Sequence, residues 1–246
     1  MPMPDPPGGE AAAPTPMLLQ VSKRQWTRLL VGCVVALHLL NIPAVLFRFV
    51  WPLPGTSYYV AFFGVSGEGK LPTFYSGLTL LAAAALLGLI WAHERRQHGP
   101  FRWHWAALAV IFLLMAMDEM LSLHEVATDV IRSRLHIEDG WFYNAWVIPA
   151  GVVLGLLSVT FFRFVVHLPA RTRMLFLFAG GVFVSGAVGL EMAGGAYVSA
   201  HGYDLAYGAL ASVEEVLEMA GIVVMLYALM DHLERHAPQT LLRVVD

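Results

Sequence analysis

Apolar residues run along this chain in six long blocks, parted by short stretches rich in charge, proline or glycine. The blocks cover residues 26–49, 73–92, 103–127, 144–167, 174–200 and 208–230. Each is near the roughly 20 residues that a helix needs to cross a bilayer. The pattern predicts an all-α fold, a polytopic transmembrane bundle of six helices. Two blocks are mixed: acids fill the second half of the third and the first half of the sixth.

Basic residues set the expected orientation. Lys23, Arg24, Arg28, Arg95, Arg96, Arg102, Arg163, Arg171, Arg173, Arg235 and Arg243 all fall on one side of this arrangement. The other side holds Arg48, Lys70, Arg132 and Arg134. An excess of Lys and Arg marks the cytoplasmic face, so both termini are expected to be cytoplasmic. Three parts follow: a disordered proline-rich cytoplasmic tail over 1–22, a six-helix transmembrane domain over 23–231, and a short cytoplasmic C-terminal tail over 232–246. Trp51, Tyr58, Tyr59, Trp141, Tyr143, Tyr197, Tyr203 and Tyr207 gather at the outer boundary, as interfacial aromatics do.

Composition agrees with lipid as a partner. Hydrophobic residues make up 58% of the chain and charged ones 13%, about half the usual share of a soluble domain. Cys33 is the single cysteine, which excludes intrachain disulfides and cysteine-cluster metal sites. No zinc-finger, P-loop or dinucleotide motif is present, and nucleic acid is not an expected partner.

The chemistry sits in the impure blocks. The third contains Asp118, Glu119, His124 and Glu125; the fifth contains Glu191; the sixth contains Glu214, Glu215 and Glu218. With the orientation assigned from the basic residues, all of these fall in the outer half of the bundle. Charges at such depth usually mark a site. On a straight helix, Asp118, Ser122, Glu125 and Asp129 share a stripe about 60° wide, with Glu119 and His124 roughly 100–120° to either side. Carboxylates at one level resist ionising together in a dry cavity, so bound cations, shared protons or open water must relieve them.

Bound cations lead the expectation. Asp118, Glu125, Glu191, Glu214 and Glu218, with His201 or His124 as nitrogen donor, form a candidate site for a divalent metal ion: iron, manganese or zinc. Helix-borne glutamates build two-metal centres in ferritin-like bundles, but the Glu-x-x-His pairs of that design are missing here. Glu119, His124 and Ser122 are the candidate catalytic groups of a metal-dependent enzyme, whose substrate would be a lipid or another apolar small molecule reached from the membrane. One alternative is a proton- or cation-coupled transporter or channel. Another is a structural membrane subunit with a buried polar network.

The pattern Asp118-Glu-x-x-x-x-His-Glu125, a lone Glu191 and Glu214-Glu-x-x-Glu218 resembles that of an uncharacterised family of multi-pass bacterial inner-membrane proteins. The likeness covers about residues 25–230. It implies a place in the bacterial cytoplasmic (inner) membrane and carries no activity or cofactor with it. Alkaline-ceramidase-like hydrolases are a looser comparison, since their clustered histidines are missing here.

Overall fold

A computed structural model describes residues 19–64, 69–236 and 242–245. Most of the expected N-terminal tail (1–18), the tip of the first outer loop (65–68) and part of the expected C-terminal tail (237–241 and 246) lie outside the described residues.

The chain is all-α in its main body. Helix α1 (Lys23–Phe49) leads into a short α2 (Thr56–Phe63), then α3 (Leu71–Arg96) and α4 (Arg102–Leu121). An amphipathic α5 (Leu123–Leu135) precedes α6 (Val147–His167). Helix α7 (Ala170–Val184) passes through a π-helical stretch, Ser185–Leu190, into α8 (Glu191–His201), and α9 (Leu205–His236) closes the series. Short strands β1 (Leu19–Ser22) and β2 (Leu242–Val245) pair in parallel, Leu19 opposite Leu242.

Five helical stretches are long and apolar enough to cross a membrane: Lys23–Phe49, Leu71–Arg96, Arg102–Leu121, Val147–His167 and Ala170–His201. This corrects the six-helix transmembrane bundle expected from the apolar blocks. Helix α9 is not one of them, although at 32 residues it is as long as any. It carries Glu214, Glu215, Glu218, Asp231, Glu234 and Arg235, and its apolar face is spent inside the protein. Met219, Ile222, Leu226, Ala228, Leu229 and Leu233 of α9 are all buried, against α1, α3 and α7. The cytoplasmic assignment of both termini depended on that sixth crossing, and the chain ends themselves lie outside the described residues.

Close backbone approach seats α9. A Cβ on Gly221 would come within 2.8 Å of the Phe183 backbone nitrogen, and one on Gly186 within 2.9 Å of the Glu214 carbonyl oxygen. Only glycine lets α7 and the π stretch lie this near. Asn41 of α1 donates to the Ser212 hydroxyl of α9 at 2.8 Å, and Tyr75 of α3 donates to the Leu30 carbonyl of α1 at 3.0 Å. The opposite faces are apolar and outward. Val159 and Phe162 of α6, Met174 and Phe178 of α7 and Leu39 of α1 are each more than half exposed. So wide an apolar belt is the surface of a membrane-associated helical protein.

Helix α2 lies in the connection between α1 and α3 and folds back on α1. The Tyr59 hydroxyl donates to the Leu40 carbonyl at 2.8 Å, and the Tyr59 ring meets Phe47 edge-on.

Candidate functional site

The third apolar block does not run as one helix. Helix α4 stops at Leu121, and Ser122 takes a left-handed conformation at φ 55° before α5 begins. Asp118 makes the joint: its carboxylate accepts from the His124 backbone N–H and from the His124 ring Nδ1, both at 2.9 Å. The side chain thereby caps the start of α5, where backbone donors have no helical partner.

This break decides which acids meet. A straight helix would have sent Glu119 and His124 away from Asp118, yet Asp118, Glu119, His124, Glu125 and Asp129 all line one cavity of about 350 Å3. Glu191 from α8 and Glu214, Glu215 and Glu218 from α9 complete its acidic wall, with Arg132 as the cation among the described residues. Ser122 serves the joint through its backbone. His201 lies apart and exposed at the end of α8, its ring stacked on Tyr197 at 4.6 Å and its Nδ1 bonded to the Tyr197 carbonyl.

The metal reading fails on this geometry. Among the described residues, no group of three or more His, Cys, Asp or Glu side chains is placed to hold a metal ion. The expected divalent iron, manganese or zinc ion, sought at Asp118, Glu125, Glu191, Glu214, Glu218 and His201, is therefore corrected, and with it the metal-dependent enzyme. Two of the carboxylates already accept from protein donors. Both Asp118 oxygens face His124. Glu191 Oε1 accepts from the Trp146 indole N–H at 3.1 Å, and the Glu191 carbonyl accepts from the Asn144 amide at 3.4 Å. Glu191 therefore ties α8 to the segment that opens α6. Glu191 and Glu214 meet carboxyl to carboxyl in a hydrogen bond, with Glu215 and Glu218 close by.

Trp146 and Asn144 were not singled out in the sequence, nor was Thr128, whose hydroxyl accepts from the Trp146 backbone at 3.3 Å. The available signal was position, since these residues stand where the fourth apolar block begins. A second network was missed for a similar reason. At the other end of α9, the fully buried Asp231 accepts from Lys23 Nζ at 3.0 Å, Arg171 Nε at 2.8 Å and Arg235 Nε at 3.0 Å. Lys23 also bonds Glu234. In the sequence these basic residues served only to assign sides.

A family model described as a domain of unknown function (DUF8692) matches residues 21–233. The chain belongs to the DUF8692 family. No curated protein and no solved structure matches it. The DUF8692 match takes in the whole acidic cavity together with Lys23, Arg171 and Asp231, and leaves out Glu234 and Arg235.

Proposed function

We propose that this DUF8692 protein is a structural subunit of the bacterial inner membrane, crossing it several times, whose buried polar networks hold its helices in register. The observation that carries this reading is Asp231. A single carboxylate, 1% exposed, accepts from α1, α7 and its own helix α9. Taking one partner from such a buried set leaves the others uncompensated, which typically costs about 3–5 kcal/mol. The outer carboxylates contribute in the same manner where their bonds are defined: Asp118 joins α4 to α5, and Glu191 joins α8 to Trp146.

The test compares thermal unfolding of the detergent-solubilised protein with Asp231→Asn and Glu191→Gln variants. A structural subunit loses much of its stability with the first and little with the second, because glutamine still offers an oxygen to the Trp146 indole. Equal and negligible effects would sink the reading. Elemental analysis of the same samples provides a separate check, and a stoichiometric metal would contradict the proposal.

A further inference from the structure

We propose that α5 docks in the surface of the bilayer, its apolar stripe sunk in the headgroup–acyl boundary and its polar face walling the acidic cavity. Helix α4 already measures 20 residues, about 30 Å, which is the full depth of the hydrocarbon core. The 13 residues of α5 follow after the left-handed turn at Ser122, so they are not needed for the crossing. They begin where a span that ends at Leu121 leaves the hydrocarbon.

The two faces of α5 meet different surroundings. Glu125, Thr128, Asp129 and Arg132 recur at helical spacing and line the cavity. This face is held: the Thr128 hydroxyl accepts from the Trp146 backbone N–H, and the Arg132 guanidinium lies 3.9 Å from the Tyr143 ring centre. On the other side, Leu123, Val126 and Val130 form a stripe that is 49%, 62% and 54% exposed. None of the residues of α5 is buried. The exposed row Leu114, Met117 and Leu121 of α4 leads into Leu123 at the joint, so the stripe continues the apolar belt of the protein. Trp141, exposed in the connection after α5, is a residue type that settles at membrane interfaces.

This chemistry selects the bilayer as partner. A helix with one polar and one apolar face lies in the plane of the interface and gains by the apolar area that it sinks. Glu125 and Asp129 balance Arg132 and Arg134, so headgroup charge adds little net attraction. The partner is the headgroup–acyl boundary itself, whatever the charge of the lipid. The inference rests on the membrane-spanning part of the proposed function and goes beyond its buried networks. It gives the acidic cavity one wall that the bilayer keeps in place.

The test places full-length Cys33→Ser protein in phosphatidylcholine vesicles, with one new cysteine carrying an environment-sensitive fluorophore. The sites are Val126→Cys and Val130→Cys on the stripe, Asp129→Cys on the polar face and Val110→Cys midway along α4. All four side chains are exposed, so the label displaces no packed neighbour, and either stripe site alone decides the result. Quenching is read with lipids bearing a nitroxide on the headgroup, at the top of the acyl chain or at its end. Val126 and Val130 should be quenched most from the top of the chain, and severalfold more than Asp129. Val110 should respond to the nitroxide at the chain end. Stripe sites quenched most from the chain end would make α5 part of a span, and equal quenching of Val126 and Asp129 would deny it a lipid face. Stripe emission untouched by lipid but rising on dilution with unlabelled protein would put a second copy there. Each of these results overturns the proposal, as does quenching that appears only when anionic lipid is added. A silent stripe beside a quenched Val110 sinks this proposal alone, whereas a Val110 silent to every nitroxide overturns the membrane-spanning reading as well.

Discussion

Helix α9 carries a polar region at each end, and the two are built on opposite terms. At the Asp231 end, acids and bases interlock: Asp231 and Glu234 face Lys23, Arg171 and Arg235, in direct contact. At the Glu214 end, about 25 Å away along the helix, carboxylates outnumber basic groups around an open space of about 350 Å3. A balanced, close-packed set works as an adhesive, since every member depends on the others' charge. An acid-rich set around a space must hold protons, as where the Glu214 carboxyl bonds Glu191, and leans on local donors such as His124 and Trp146. The same helix therefore holds the protein together at one end and keeps a vestibule at the other.

The sharpest test of this contrast is Asp231→Asn. It should cost about 3–5 kcal/mol of stability, read as a large drop in the thermal midpoint in detergent. A small drop would abolish the distinction between the two ends. Next in size is Gly221→Ala, at the level between them. The new methyl group meets the backbone of Phe183, so α7 and α9 must separate, at a cost of about 1–3 kcal/mol. Its thermal midpoint should fall between those of the two end variants. Glu214→Gln should be close to neutral, within about 0.5 kcal/mol, because burial and a hydrogen bond to Glu191 push the Glu214 carboxyl up to about 11 and an uncharged amide replaces an uncharged acid. Equilibrium unfolding in mixed micelles would measure this, and a loss as large as that of Asp231→Asn would show the outer acids to be adhesive as well.

The smallest expected effect concerns pH at the turn into α9. Asp204 accepts from the Tyr207 backbone N–H at 2.9 Å and the Tyr197 hydroxyl at 2.8 Å, and these bonds hold its carboxyl below the usual carboxylate range. A depressed value means that the bonds stabilise the fold above about pH 4. That contribution fades as the pH falls through the lowered value. Asp204→Asn should therefore flatten the acid limb of the stability profile by lowering the thermal midpoint above about pH 4, with little change in the acid region, as thermal unfolding across the pH range would show.

How far all this was legible in the sequence differs from one residue to another. Hydropathy marks α1, α3, α4, α6 and the α7–α8 stretch as candidate spans, because long apolar runs follow from the need to satisfy backbone groups in lipid. Helix α9 was misread because its apolar run was counted through the acids at its start, Glu214, Glu215 and Glu218. The joint at Ser122 was hidden because serine is an ordinary helix residue and no glycine or proline announces a break. The left-handed turn depends on Asp118 reaching His124, a tertiary-scale choice made by one side chain. The acids were visible as anomalies, but whether they converge on an ion or encircle a space is a matter of ångströms. Lys23 and Arg171 read as topology markers, since a basic residue beside a span has that role unless a buried acid such as Asp231 claims it.

The π-helical stretch Ser185–Leu190 has a consequence for heredity as much as for structure. Such a bulge amounts to one residue more than a regular helix holds, so α8 is rotated by about 100° from where an uninterrupted α7 would have placed it. Loss of the Gly189 codon would remove no side chain and leave the helix smoother. It would also swing Glu191 away from Trp146, and with it Tyr197 away from Asp204. The protein should thus accept a larger residue at Gly189, where a Cβ meets nothing, and reject one at Gly186 or any change in the segment's length.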